Sequence, residues 1–278
     1  MKKYIFFCIT VSLLILSACK SDKDASFEDP CGGKAPGGAV GILMSINQDK
    51  QLGLTAVNQI ESDPTNFPIL DSATNSVAYG HIYRIRNNIL NSGKVYYKDE
   101  FPWRIRIIKD DKTLNAFCTP GGYIYVYTGL IKFLDNETQF AGVMGHEIAH
   151  ADRRHSANQM LKQTGVQLLL EILSNGDPNQ LAQLGAQLLS LKFSRTDETE
   201  ADDYSVRYLY GTEYDPQGAK FFFQKIGGES SPPEFISTHP NPDNRVENIE
   251  ATWKCLGSGG DDELFTQRYQ EFKNSLPN

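Results

Sequence analysis

Two histidines four residues apart, His146 and His150, with a glutamate at position 147, are the side chains in this sequence best placed to do chemistry. On a helix the four-residue spacing stacks both imidazoles on one face, where they can share a metal ion. Glu147 lies about 100° round the helix from His146, by the 3.6-residue period. It can therefore reach a water on that metal without binding the metal itself. Such a set performs metal-assisted hydrolysis: the ion lowers the pKa of the water and the carboxylate takes the proton. Apolar Val143, Met144, Ile148 and Ala149 surround these residues, as a buried catalytic helix requires.

A catalytic zinc needs a third protein ligand and one open position. The third ligand must come from another segment. Residues 194–202, Ser-Arg-Thr-Asp-Glu-Thr-Glu-Ala-Asp, place Glu198 and Asp202 on one helical face. Glu198 is expected to complete the set, giving one zinc ion per chain. Asp202 is expected to accept an N–H from a ligand histidine and so fix its tautomer. An isolated acidic run reads as a solvated helix face; beside His-Glu-x-x-His it reads as part of a metal site.

The elements that must position these residues follow from periodicity. Apolar spacing predicts helices over 41–60 and 72–90. Alternation then predicts strands over 103–108, 114–118 and 123–127, the last with its tyrosines on one face and Ile124 and Val126 on the other. The catalytic helix is expected over 137–158, and a further helix over 159–173. A long helical run covers 179–210 with a break near Phe193. Pro216 opens a helix to residue 226, residues 229–242 form a loop with four prolines, and helices are expected over 243–256 and 263–275.

Four ordered motifs give the chain a family resemblance. They are Asn115-Ala116-Phe117 with Pro120-Gly121-Gly122, then 143–150, then Ser194-Arg195-x-x-Glu198-x-x-Ala201-Asp202, then Ser237-Thr238-His239-Pro240 with Arg245. Together they resemble the zinc metallopeptidases that include HtpX, the type-1 CAAX prenyl proteases and the Oma-type proteases. In layout the chain is nearest to the soluble periplasmic lipoprotein members, such as BepA and LoiP, without a repeat domain. The resemblance implies an α+β fold: a mainly helical zincin-like domain over 42–278, with a small three-stranded sheet beside the active-site helix. It implies an endopeptidase with His146, His150 and Glu198 as zinc ligands, Glu147 as general base, and misfolded or envelope polypeptides as substrates.

His239 enters through the family loop. It is a catalytic donor to the oxyanion, a fourth ligand plugging an idle site, or a structural histidine beside Pro240 and Pro242. Gly121, Gly122, Tyr123 and Ile124 are expected to form a substrate strand, an exposed edge that pairs with an extended peptide; the alternative is an internal strand. Two other functions compete with an active peptidase. One is a zinc-containing envelope chaperone or assembly module. The other is an autoinhibited protease whose metal is covered by His239 or by residues 160–193. His155, five residues after His150, is expected to point elsewhere as a helix-end surface residue, and His81 to be structural.

The rest of the chain sets the compartment. Lys2, Lys3, an apolar run and Leu16-Ser17-Ala18-Cys19 read as a lipoprotein signal over 1–18, with Cys19 taking the lipid. Residues 19–41 read as a flexible tether. Cys31 and Cys255 lie in Gly-rich terminal segments and are expected to pair, leaving Cys118 as a buried thiol. No basic stripe accompanies the net charge of −7, which argues against a nucleic-acid partner. Oligomeric state is not legible.

Overall fold

Side-chain caps at Ser45, Asn136, Asp177 and Ser194 set where four of the helices begin. The computed structural model describes residues 31–36, 39–227, 234–239, 244–260 and 263–277. The signal segment, Cys19, and Pro240 and Pro242 lie outside these residues. Helix α1 spans Ala39–Leu43 and α2 spans Ile46–Glu61. Ser45 separates them through a capping box: its hydroxyl accepts from the Gln48 N–H, and the Gln48 side chain accepts from the Ser45 N–H. Helix α3, Ser76–Leu90, starts later than its apolar pattern. The Asp71 carboxylate takes the N–H groups of Ala73 and Thr74 and holds a turn there instead.

Strands β1 (Arg104–Ile108), β2 (Ala116–Thr119) and β3 (Tyr123–Tyr127) form one sheet in the order β1-β3-β2. Strand β3 runs parallel to β1 and antiparallel to β2. Ile124 and Val126 enter the main core, while Tyr123 and Tyr125 pack with Val57 and Ile60 of α2. The alternation is as expected, but both faces are covered, so every position except Tyr127 is buried.

After α4 (Thr128–Phe133), helix α5 (Glu137–Asp152) runs through the middle of the molecule, and all sixteen of its residues are buried. A helix apolar or paired all round belongs in a core. The helices that follow are α6 (His155–Thr164), α7 (Val166–Asn175), α8 (Pro178–Leu189), α9 (Arg195–Leu209), α10 (Gly218–Ile226), α11 (Glu234–Thr238), α12 (Arg245–Cys255) and α13 (Thr266–Asn274). Helices α9 and α10 pack on α5, and β2 also lies against it. The α5–α10 contact depends on Gly142 and Gly218: a Cβ on Gly142 would sit 2.0 Å from the Ala219 nitrogen, and one on Gly218 would sit 2.2 Å from the Thr138 carbonyl. Helices α6, α7 and α8 instead build a separate apolar layer with α2, around Leu52, Met160, Leu169 and Leu184.

Two breaks shape the site. The run from 179 to 209 is interrupted by the capping box of Ser194 and Asp197, which starts α9 afresh. The expected helix 137–158 ends at Asp152, because Arg154 adopts a left-handed backbone (φ 60°). That conformation is strained for a side chain with a Cβ. The Arg154 guanidinium is buried and donates to the Asp49 carboxylate at 3.0 Å and to the Met44 carbonyl at 2.9 Å, which holds the turn.

Residues 31–36, expected as part of the tether, are docked. Arg153 donates to the carbonyls of Lys34 and Ala35, and Arg207 donates to that of Cys31. Cys31 is joined to Cys255, with Cα atoms 5.7 Å apart. Cys118 is a buried free thiol. Among the described residues, no helix is long and apolar enough to cross a membrane.

Candidate active site

Helix α5 carries His146, Glu147 and His150 into the core, and α9 brings Glu198 to meet them. The Nε2 atoms of His146 and His150 are 3.0 Å apart. The Glu198 carboxylate lies 3.4 Å from each of them. His239, at the end of α11, places Nδ1 3.0 Å from Glu198 and 3.4 Å from His146 Nε2. One ligand atom from each of these four residues falls within 4.8 Å of all the others, and all four side chains are fully buried. The two expected ligand segments therefore converge, and His239 joins them.

The residues fit a zinc ion. Donors bound at about 2.0–2.2 Å in a tetrahedron stand roughly 3.3 Å apart, and the separations of 3.0–3.4 Å match that figure. Among the described residues, four buried atoms facing the site have no hydrogen-bond partner: both oxygens of Glu147, Oε2 of Glu198 and Nε2 of His239. Buried polar atoms are almost always paired, so four orphans in one place mark a site that an ion and a water would satisfy.

The electrostatics agree. Burial pushes the Glu147 carboxyl up to about 8. Burial also acts to raise Glu198, but the imidazoles of His239, His146 and His150 outweigh it and hold that carboxyl below its usual range. Burial holds His150 well below its ordinary value, so it stays neutral and able to ligate. Burial also opposes charge on His146, but hydrogen bonds to Asp202 and Glu198 raise it.

Asp202 takes its expected place. Its Oδ1 lies 2.9 Å from His146 Nδ1, and Arg245 clamps both its oxygens at 2.6 and 2.7 Å. The Arg245 guanidinium lies 3.7 Å above the Phe223 ring. Phe193, in the break before α9, stacks on the His150 ring with centroids 3.8 Å apart, and Phe235 stacks on His239 at 4.3 Å.

Two expectations fail. Gly121, Gly122, Tyr123 and Ile124 do not form a substrate edge, because β3 is hydrogen-bonded on both sides. Gly121 and Gly122 (φ 80° and 79°) turn the chain between β2 and β3, where a Cβ would sit 2.8 Å from Lys50 Cα and 3.1 Å from Trp103 respectively. The edge strand beside the site is β2. Phe117, Cys118 and Thr119 line a cavity of about 360 Å³ together with Phe193 and His239.

His155 is the second failure. It is buried rather than on the surface, with Nδ1 2.9 Å from His150 Nδ1 and Nε2 3.2 Å from Glu200. A continuous helix would send it round to another face. The left-handed turn at Arg154 brings it back, and no glycine or proline at that point announces the turn. His81 packs on Phe272, as a structural residue.

Fold and site together define a metallopeptidase of the His-Glu-x-x-His type, with Glu198 and His239 converging on the two histidines. The chain belongs to peptidase family M48, which matches over residues 81–253. It is similar to the beta-barrel assembly-enhancing protease of Escherichia coli (strain K12), 31% identical over 229 residues that cover 76% of this chain and 45% of that protein. The mitochondrial metalloendopeptidase OMA1 of Arabidopsis thaliana is 34% identical over 146 residues, covering 51% of this chain and 30% of that protein. The OMA1 metalloendopeptidase of Bos taurus is 31% identical over 170 residues, covering 54% and 32%. The match thus takes in less than half the length of each of these relatives.

Proposed function

We propose that the chain is a zinc-dependent endopeptidase of misfolded or envelope polypeptides. The observation that carries this reading is the Glu147 carboxyl: buried, without a hydrogen-bond partner, and beside three converging donors. A purely structural metal site has no use for such a group. His146, His150 and Glu198 would hold the ion, which supplies a more acidic water and a polarised carbonyl. Glu147 takes the proton from the attacking water and returns it to the leaving amine. His239, with Nε2 3.6 Å from Glu147, is placed to donate to the carbonyl oxygen as charge develops there. An extended substrate pairs with the β2 edge, and its side chains enter the cavity between Phe117 and Phe193.

A second reading is favoured by one observation. His239 Nδ1 stands at donor distance inside the ligand set, so it can occupy the position a water needs. In that state the enzyme is autoinhibited. One experiment tests both readings, using the purified mature chain, zinc and an unfolded protein substrate. The wild type is expected to bind one zinc ion and cleave, and Glu198→Ala to lose both properties. Full zinc occupancy and cleavage in Glu198→Ala would remove the metal centre. His239→Ala is expected to cut turnover; a rise would establish the autoinhibited state instead.

The compartment we propose is the bacterial cell envelope, with Cys19 lipidated and the domain on the periplasmic face of the outer membrane. Its support is the Leu16-Ser17-Ala18-Cys19 run and a pair of cysteines suited to an oxidising compartment.

A further inference from the structure

The two ligand histidines are oriented in different ways. His146 gives its Nδ1 proton to a carboxylate, Asp202. His150 has a second imidazole in the corresponding place. We infer that His155 is a positioning residue that fixes the metal-binding tautomer of His150, and that Glu200 and Arg153 hold His155 in its own tautomer.

The proton bookkeeping runs in one direction only. His150 turns Nε2 into the ligand set, 3.0 Å from His146 Nε2 and 3.4 Å from Glu198. A histidine that ligates through Nε2 carries its hydrogen on Nδ1. That N–H faces His155 Nδ1 at 2.9 Å, so His155 Nδ1 must accept. The His155 proton then sits on Nε2, 3.2 Å from Glu200 Oε2, where it donates to a carboxylate. Arg153 occupies the other oxygen of that carboxylate, Oε1, which leaves Oε2 to accept from His155. Arg153 donates to Glu200 Oε1 from Nε at 2.8 Å and from Nη2 at 2.7 Å. Every member has its complement, and reversing either imidazole sets two donors or two acceptors face to face.

Packing supports the same assignment. His155 opens α6 directly after the strained residue Arg154, and its side chain is 2% exposed. Burying an imidazole at the end of a strained turn costs stability unless its hydrogen bonds are made. Phe193 covers the face of the His150 ring, and the contact with His155 fixes its Nδ1 edge opposite the ligand set. Arg153 continues the chain to the carbonyls of Lys34 and Ala35. The relay thus runs from a metal ligand to the docked segment 31–36.

The inference rests on His150 being a metal ligand, and its test separates the two claims. Zinc affinity is measured on the mature chain by chelator competition, with the melting temperature in excess chelator as a folding control. If the wild type binds no zinc, the metal site itself fails. If it binds, His155→Leu is expected to weaken affinity about 10- to 100-fold, the usual cost of losing the group behind a ligand histidine. His155→Asn keeps an acceptor where Nδ1 stood and is expected to recover most of that loss. Leucine and asparagine variants of equal affinity, or a leucine variant that binds like wild type, would overturn the inference. Should the leucine variant not fold, Glu200→Ala takes its place. It removes the acceptor for Nε2–H without entering the core, and affinity is expected to fall about tenfold, the low end of the same range. An unchanged affinity in Glu200→Ala would overturn the inference equally.

Discussion

Two glutamates on α5, ten positions apart in sequence, show what separates a structural buried charge from a functional one. Glu137 opens the helix and Glu147 lies two-thirds along it, and both are fully buried. Glu137 has partners on all sides. Arg84 grips both its oxygens at 2.6 Å, Arg268 reaches it at 2.5 and 3.1 Å, and the Tyr214 hydroxyl donates at 2.7 Å. Glu147 has none. The results are opposite: the partners of Glu137 overcome its burial and lower its carboxyl, while burial raises that of Glu147 to about 8. The helix pins one end with a completed network and leaves the other deliberately incomplete, with an unpaired base kept beside a metal site. Buried charge alone therefore does not identify a catalytic group; the missing partner does.

The largest effect that should follow is at Glu147. Replacing it with glutamine removes the base and keeps the shape. Cleavage of an unfolded protein is expected to fall by about 10²–10⁴-fold, the range for a general base, while zinc stays bound. In chelator at pH 7 the variant is expected to melt higher than wild type, because a carboxyl raised to about 8 must take up a proton on folding and a carboxamide need not. Retained cleavage would end the catalytic role. A lower melting point would show that Glu147 has a partner after all.

Glu137→Gln should do the reverse. It leaves two arginines facing a neutral amide, and breaking buried pairs costs roughly 3–5 kcal/mol. The low end applies here, since Arg84 and Arg268 are 33% and 28% exposed. Activity per folded molecule is expected to stay within a factor of two or so, as a site-remote loss of stability does. The pH dependence has a definite sign. A carboxyl lowered in the folded state contributes stability above its ordinary value of 4.5, and loses it as pH falls through the folded value. The gap between wild type and Glu137→Gln should therefore be full at pH 7 and close on acidification below about 4.5. Denaturation midpoints from pH 7 to pH 3 measure it, and a constant gap would mean that charge is not what stabilises Glu137.

The same contrast explains what could be read from sequence. His146, Glu147 and His150 are legible because helix geometry links residues four apart, and Glu198 with Asp202 repeats that spacing on α9. The break near Phe193 is legible too, since Ser194 and Asp197 make a capping box. Ser45 and Gln48 make another, which the apolar spacing over 41–60 conceals, so that spacing predicts one helix where two stand. The central position of β3 is not legible, because β1 reaches it across a parallel pairing that no local signal encodes. Nor is the Glu137 network, whose arginines lie 53 and 131 residues away. His155 is hidden for a third reason: a non-glycine residue in a left-handed turn, held by Asp49 from another helix, re-aims it.

The smallest effect sharpens the comparison most, because it removes one partner and leaves the charge paired. Tyr214→Phe deletes a single hydroxyl from the Glu137 cluster and adds no cavity. Both arginines still hold the carboxylate, so the loss should be chiefly that of the hydroxyl's bond to a charged group, about 1.5 kcal/mol, with the longer bond that the hydroxyl accepts from Arg84 at 3.3 Å going with it. In a protein of this size that is a fall of roughly 3–6 °C in melting temperature. Cleavage and zinc binding should not move. A loss as large as that of Glu137→Gln would mean that the hydroxyl, rather than the arginines, keeps the carboxylate ionised. The completed end of α5 would then be one hydrogen bond away from the state in which Glu147 is kept.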